Sequence, residues 1–373
     1  MKVAIDALSS VLGGGSTYLA NMLPAIGRRD TCHEYLVLVP PQGPEIAGSS
    51  AMRILRDPRL ASGRRRVLFE QLSLPGWLRR EHIDVFFSTA DTVPLAARGP
   101  TVISARNSLL YAPPELRPLL RRYEPRLTLL RALFRASARK ADCVVFVSEA
   151  SRTMAVTYGG IPRAKTRVVH HGLSARFAER GSASPAPLAA PYVLTVCAVN
   201  AYKNLGPLVR AFARVAGPDH LLVIAGALQE RAYVAEVEAD AARAGLGERL
   251  RWTGPVPHAE LSRWYSHAAA FVFPSLIESF GHPLGEAMAC GAPVVSSRIP
   301  VAEEICADAV SYFDPSDEDT LTGALARVLS DPAHAASLAR RGRARAAEFD
   351  WDRSAKALVQ VLEDVAAARR ARS

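Results

Sequence analysis

Short apolar runs recur along the chain, separated by stretches long enough for a helix. They are KVAID (2–6), YLVLV (35–39), DVFFS (84–88), TVIS (101–104), CVVFV (143–147) and the pair at 168–169. The series continues with YVLTVC (192–197), LLVIA (221–225), AFVF (270–273) and PVVSS (293–297). The runs are rich in β-branched residues and apolar on both faces. Strands of a parallel sheet covered by helices on both sides read this way, so the pattern predicts an α/β protein built of βα units. One stretch interrupts the rhythm: AERGSASPAPLAAP, from residue 178, is mostly small residues and prolines and reads as a linker. The expected organisation is an N-terminal Rossmann-like domain over 1–177, a linker over 178–190, a second Rossmann-like domain over 191–350 and a C-terminal helix over 351–373. Each domain holds a doubly wound sheet. Ligands of such sheets bind outside the carboxyl ends of the strands, so two sheets facing each other would share a cleft.

The segment ESFGHPLGE (278–286) stands out. It follows the AFVF strand and carries two glutamates, a glycine and a proline. Pro283 suits the first turn of a helix, and Gly291 followed by Pro293 suits its end, which predicts about two turns between them. The N-terminus of that helix would lie at the carboxyl end of the strand, where free N–H groups bind anions. Gly281 permits close approach of a ligand to the backbone. A carboxylate can accept hydrogen bonds from two adjacent hydroxyls of a sugar or a ribose. On spacing alone, ordinary decoration of a helix end and a ligand site both remain open. A second glycine cluster, LGGGST (12–17), follows the first strand. It is neither a Walker loop nor a dinucleotide fingerprint, because the required lysine and glycine spacings are missing.

Composition narrows the class. The chain has 373 residues, 49% hydrophobic and 22% charged, which suits a globular protein of two domains. No run approaches the length of a membrane-spanning helix, and the N-terminus reads as a strand rather than a signal peptide. The cytoplasm is the default compartment. Five scattered cysteines without C-x-x-C spacing argue for buried free thiols rather than disulfides or zinc. The net charge of +10 suits an anionic partner. Arginines gather at 64–66 and along 117–140, where Leu and Arg alternate at near-helical spacing. That stretch reads as a basic helix, either a solvated face or a peripheral contact with an anionic membrane. DWD (350–352) and DED (317–319) look like metal motifs, but the first falls at a helix start, where Asp is a common cap, and the second in a charged loop.

From FPSLIESFGHPLGEAMACGAPVVSS onward the chain resembles retaining glycosyltransferases of family 4, with their E-x7-E segment. LRWTGPVPHAELSRWYSHAAAFVFPS, YVLTVCAVNAYKNLGPLVRAF, ADCVVFVSEASRTMAVTYGGIPRAKTRVVHHGL and DALSSVLGGGSTYLANML are similar to the family as well. The resemblance covers most of the chain and is stronger after residue 140. It implies the GT-B fold, two doubly wound Rossmann-like domains facing across a cleft, with the C-terminal helix crossing back to the N-terminal domain. It implies transfer of a sugar from a nucleoside-diphosphate sugar to a hydroxyl acceptor, with no cofactor and no bound metal. Glu286 would bind the ribose hydroxyls. Glu278 would bind the donor sugar or lie near the reacting carbon, and Phe280, Gly281 and His282 would meet the sugar and diphosphate at the helix N-terminus. Lys203 would hold the diphosphate as its bond to the sugar breaks, Val256 would contribute to the donor site, and Gly14 and Gly15 would face the diphosphate.

The chain departs from the family's pattern in two places. An arginine usual five residues before the lysine is Ala198 here, and a histidine usual near residue 105 is replaced by Arg106 and Asn107. Arg106 suits a phosphate or an acidic acceptor but cannot accept a proton. His170 and His171 precede Gly172 and read as hinge or cleft-edge residues. These departures keep open a second reading, a catalytically impaired scaffold or activating subunit for a partner enzyme. A nucleic-acid-binding role rests on charge alone and has no motif behind it.

Overall fold

The computed structural model describes the chain except for residues 11–13, 44, 47–49, 62, 180–184 and 372–373, and the side chains at 59, 61, 64, 178 and 179. The motif residues Leu12 and Gly13 and the middle of the linker therefore lie outside the described residues. The chain forms two compact units. The first is Met1–Gly172 with Asp350–Ser373, and the second is Leu173–Phe349.

Unit 1 holds a seven-stranded sheet. Its strands are β1 (Lys2–Asp6), β2 (Glu34–Val39), β3 (Met52–Arg56), β4 (Val85–Ser88), β5 (Thr101–Ala105), β6 (Cys143–Phe146) and β7 (Thr166–Val168), in the order β3-β2-β1-β4-β5-β6-β7. Unit 2 holds a six-stranded sheet of β8 (Tyr192–Val196), β9 (Leu221–Ala225), β10 (Leu250–Gly254), β11 (Ala270–Phe273), β12 (Val294–Ser297) and β13 (Ser311–Phe313), in the order β10-β9-β8-β11-β12-β13. Every pairing is parallel. The central strands are buried on both faces, as their unbroken apolar runs require: Val3, Ala4, Ile5, Val193, Leu194, Phe271 and Val272 are fully enclosed. In each sheet the strand order reverses once, between β1 and β4 in unit 1 and between β8 and β11 in unit 2. Loops leaving adjacent strands at such a switch point diverge to opposite faces and leave a crevice.

Three strands were not anticipated from the pattern: β3, β10 and β13. All are edge strands with one hydrogen-bonded neighbour, and most of their residues are partly or fully exposed. β7, the remaining edge, lies at 166–168 rather than 168–169. The expected single basic helix over 117–140 is also corrected. A short helix Arg117–Leu120 passes through a tight turn, Arg121–Tyr123, before a separate helix, Arg126–Lys140. Pro125 supplies no N–H to continue the first helix and caps the second. The second helix buries Leu127, Phe134, Ser137 and Ala138 in unit 1 and leaves Leu129 and Leu133 exposed.

The C-terminal helix Trp351–Arg370 packs against the helix Gly14–Arg29 of unit 1. Trp351, Leu358 and Leu362 join Leu19, Met22, Val3 and Val37 in one core, and Asp352 bridges Arg28 and Arg29 at the surface. The chain thus completes unit 1 with its last helix. The thiols of Cys143 and Cys306 are buried as expected and pushed up to about 11 and about 12 by that burial, whereas Cys32 is exposed and Cys197 and Cys290 are half-buried. Among the described residues, no helix is long and apolar enough to cross a membrane.

Candidate active site

In unit 2 two loops leave the switch point. The loop after β8 turns through Ala201–Lys203, and Asn204, in the left-handed conformation that Asn tolerates, opens the helix Leu205–Val215. The loop after β11 carries Ser275 to Gly281. The two are tied together where the Leu276 amide donates to the Tyr202 carbonyl at 2.9 Å, and Ser297 Oγ at the end of β12 fixes the second loop by donating to the Ser275 carbonyl at 2.6 Å. The turn after β8 is further fixed by Glu230, which accepts from the Ala201 amide at 3.0 Å.

This framework brings Lys203 and Glu278 together. Lys203 Nζ donates to Glu278 Oε1 in an ion pair whose side chains are 12% and 18% exposed. The ammonium also lies 5.1 Å from the centre of the Tyr202 ring. Burial opposes its charge, but Glu278, Tyr202 and Cys197 together outweigh that cost, and the Lys203 pKa is held well above its ordinary value. The position is therefore a permanent, partly desolvated positive charge at the carboxyl end of the sheet.

The helix His282–Cys290 begins beside this pair, with Gly281 as its N-cap at φ 82° and Gly291 as its C-cap at φ 77°. Both conformations are costly for any residue with a Cβ. No acidic residue occupies the first turn and its glycine N-cap has no side chain, so the positive end of the helix dipole is not offset by a charge of its own. Phe280 is buried between His282 and Phe349, at ring distances of 5.1 and 5.7 Å. Its side chain anchors the loop. Glu286 is buried one turn further on. Its Oε2 accepts from Tyr265 Oη at 3.0 Å and its Oε1 pairs with His258 Nε2 at 3.1 Å. The two glutamates of the E-x7-E segment thus have different settings, one against a lysine and one against a phenol and an imidazole. Val256 is half-buried on the loop after β10, two residues before His258. Ala198 places no cation near its site, and its carbonyl accepts from the Asn200 carboxamide at 3.1 Å.

Unit 1 has its own switch-point cluster. Gly14 is exposed at the start of its helix, and Gly15 lies so close to Ser10 that a Cβ would come within 3.1 Å of its Cα. Arg106, at the end of β5, donates to Ser10 Oγ at 2.8 Å and to the Thr89 carbonyl, and its guanidinium lies 4.6 Å over the Tyr18 ring. Its amide and that of Asn107 donate to Asp91 at 2.9 and 3.2 Å. Burial lowers the Arg106 pKa, with Tyr18 and Asp91 opposing it. Arg106 therefore pins the ends of β1, β4 and β5 together. Asn107 spends its carboxamide oxygen on the Leu109 amide as a cap. His171, just before unit 1 gives way to unit 2 after Gly172, is buried between Tyr18 and Trp351, at 5.1 and 5.4 Å.

Ser10, Tyr18, Thr89, Asp91, His258 and Tyr265 were not singled out from the sequence. None lies in a motif whose spacing marks it, and adjacency of non-consecutive strands brings them in. Asp350 and Asp317 accept from the amides of Asp352 and Asp319 and cap the helices they open, the second at a helix start rather than in a free loop. Among the described residues no cluster of three or more His, Cys, Asp or Glu is placed to hold a metal ion.

Two doubly wound units with a switch-point site in each define a class of proteins, and comparison with known sequences places the chain within it. A family model described as Glycosyltransferase Family 4 matches residues 12–177, and one described as Glycosyl transferases group 1 matches residues 180–345. The chain belongs to these family 4 glycosyltransferases. It is 32% identical over 188 residues to a D-inositol 3-phosphate glycosyltransferase of Xylanimonas cellulosilytica, an alignment covering 50% of this chain and 45% of that relative. The chain therefore spans less than half of that relative's length. Sucrose-phosphate synthase from Thermosynechococcus elongatus superimposes with a TM-score of 0.76 at 22% identity, over 99% of this chain and 100% of the other. Anabaena HepE in complex with UDP and glucose gives 0.75 at 20% identity, over 98% and 100%. At these identities the structures establish the GT-B fold.

Proposed function

We propose that the chain is a retaining, metal-independent glycosyltransferase that moves a sugar from a nucleoside-diphosphate donor to a hydroxyl acceptor. The observation that carries this reading is the enclosed Lys203 ammonium beside Glu278, at a switch point where the His282–Cys290 helix also begins. As the bond from the sugar to the diphosphate lengthens, negative charge grows on the leaving group. A fixed ammonium and the positive end of a helix dipole stabilise that charge without reorganising, which is differential binding of the transition state. Lys203 supplies the positive charge that a metal ion supplies in other phosphate chemistry. HepE, which shares the fold, binds UDP and glucose, and that supports a UDP-type donor here.

In this reading Glu286 accepts the ribose hydroxyls and Glu278 orients both Lys203 and the donor sugar. The pair does not act as the two carboxyls of a glycosidase, because each is committed to a different partner. The carboxyl ends of β1, β4 and β5 in unit 1, with Arg106 and Asn107, serve the acceptor. The test is thermal melting of the full chain with UDP, GDP, ADP and CDP, in EDTA and then in magnesium. A ligand at a hundred times its Kd stabilises the folded state by about 2.7 kcal/mol, or roughly 5–10 °C for a unit of this size. A shift with one nucleotide in EDTA supports the reading and names the base. No shift with any of the four overturns it.

A further inference from the structure

The carboxylate of Glu286 is held from two sides, and the holding determines what it can still accept. We propose that His258 is a positioning residue for Glu286 and that the feature it selects is a pair of adjacent ribose hydroxyls. The inference rests on the donor-site reading above, which gives Glu286 the ribose hydroxyls, and adds the residue that sets the carboxylate for them.

A carboxylate offers about four lone-pair sites, two on each oxygen. Tyr265 Oη occupies one on Oε2, and His258 Nε2 occupies one on Oε1. That leaves one site on each oxygen, the pattern that matches two neighbouring hydroxyls rather than one. Both clamping rings are themselves fixed. Phe177 packs edge-on against His258 at 5.1 Å and against Tyr265 at 6.1 Å, and its carbonyl accepts from Cys290 Sγ at 3.3 Å, at the far end of the helix that carries Glu286. Pro255 and Pro257 stiffen the segment leading to His258. Tyr265 is fully buried, whereas the His258 side chain is 31% exposed, so His258 stands on the open side of the carboxylate where a ligand arrives. Without His258 the Oε1 side is free to swing or to take up water. The carboxylate would then still accept one hydroxyl but no longer be set for two.

The experiment is titration calorimetry of the full chain with whichever of UDP, GDP, ADP and CDP binds tightest, and with its 2′-deoxy counterpart. Loss of one hydrogen bond to a charged acceptor weakens binding by about tenfold or more, so wild type is expected to prefer the ribonucleotide by at least about tenfold. His258→Phe is expected to reduce that preference to about twofold by weakening the ribonucleotide alone. His258→Gln, which retains a donor near the Nε2 position, is expected to keep most of it. An unchanged preference in His258→Phe, or equal weakening of both nucleotides in both variants, overturns the inference while leaving the donor site in place. A wild type that binds no nucleotide, or binds both forms equally, overturns the donor-site reading of Glu286 and this inference with it.

Discussion

Replacing Glu278 with Gln keeps the shape of the site and removes one charge from an enclosed pair. Lys203, its side chain 12% exposed, is then left with the neutral carboxamide oxygen and the Tyr202 ring, 5.1 Å away, in place of a charged partner. Removing one member of a fully buried pair costs about 3–5 kcal/mol. The residual exposure admits some water, and we set the cost at about 2–3 kcal/mol. For a unit of this size that is roughly 5–10 °C in melting temperature. The double variant Lys203→Met, Glu278→Gln has no stranded charge and should return to within about 1 kcal/mol of wild type, about 1–2 kcal/mol more stable than Glu278→Gln alone. Hydrogen exchange at the amides of β8 and β11 reads unit 2 separately from unit 1. A nucleoside diphosphate brings the missing negative charge, so UDP should raise the melting temperature of Glu278→Gln more than that of wild type. Glu278→Gln within about 0.5 kcal/mol of wild type, or a double variant no better than the single, would refute the reasoning, because the pair would then be solvated and energetically idle.

Four other outcomes follow. Lys203→Ala and Glu286→Ala should each lower turnover by at least about a hundredfold, in the range reported for loss of one preorganised charge-stabilising group, while circular dichroism stays unchanged. Gly226→Ala should destabilise unit 2 by about 3 kcal/mol or more in urea denaturation, since φ is 143° there and a Cβ would sit 1.9 Å from the Cys197 carbonyl oxygen. Trp351→Ala should cost about 3–5 kcal/mol and expose the C-terminal helix to proteolysis, because Trp351 is 5% exposed in the core shared with Leu19 and Met22. The last outcome concerns pH. Burial, and then the charge of Asp6, raises Glu70 to about 8, with Arg66 opposing at 3.3 Å; burial likewise raises Asp6 to about 6. A carboxyl with a raised folded pKa stabilises the protein below its unfolded value of 4.5 and loses that contribution as pH rises through about 8. Melting temperature should therefore fall between pH 5 and 8, by about 1–3 kcal/mol of stability, and Glu70→Gln should flatten that slope.

The central strands were legible because a strand buried on both faces must be apolar throughout. β1, β2, β8, β9 and β11 fall where their runs do. The edges β3, β10 and β13 were not, since an edge strand needs only one neighbour and half a core, and MRILR or SYF carries too little apolar signal to stand out. The bracket around His282–Cys290 was legible because Gly281, Pro283 and Gly291 impose backbone conformations that few residues share. The pairing of Lys203 with Glu278 was not. The two lie 75 positions apart and meet only because β8 and β11 are neighbours, which is a property of strand order rather than of local pattern. His258 and Tyr265 were hidden for the same reason. The break before Arg126 was written in Pro125, but the Leu and Arg periodicity on both sides concealed it.

The most direct test is proton NMR of nucleotide-sugar turnover by the full chain in EDTA, with the donor chosen from the nucleotide that binds. The account predicts that the first sugar product has the same anomeric configuration as the donor, that magnesium does not increase the rate, and that Lys203→Ala slows release at least about a hundredfold. An inverted first product, a strict need for metal, or undiminished release by Lys203→Ala would contradict it.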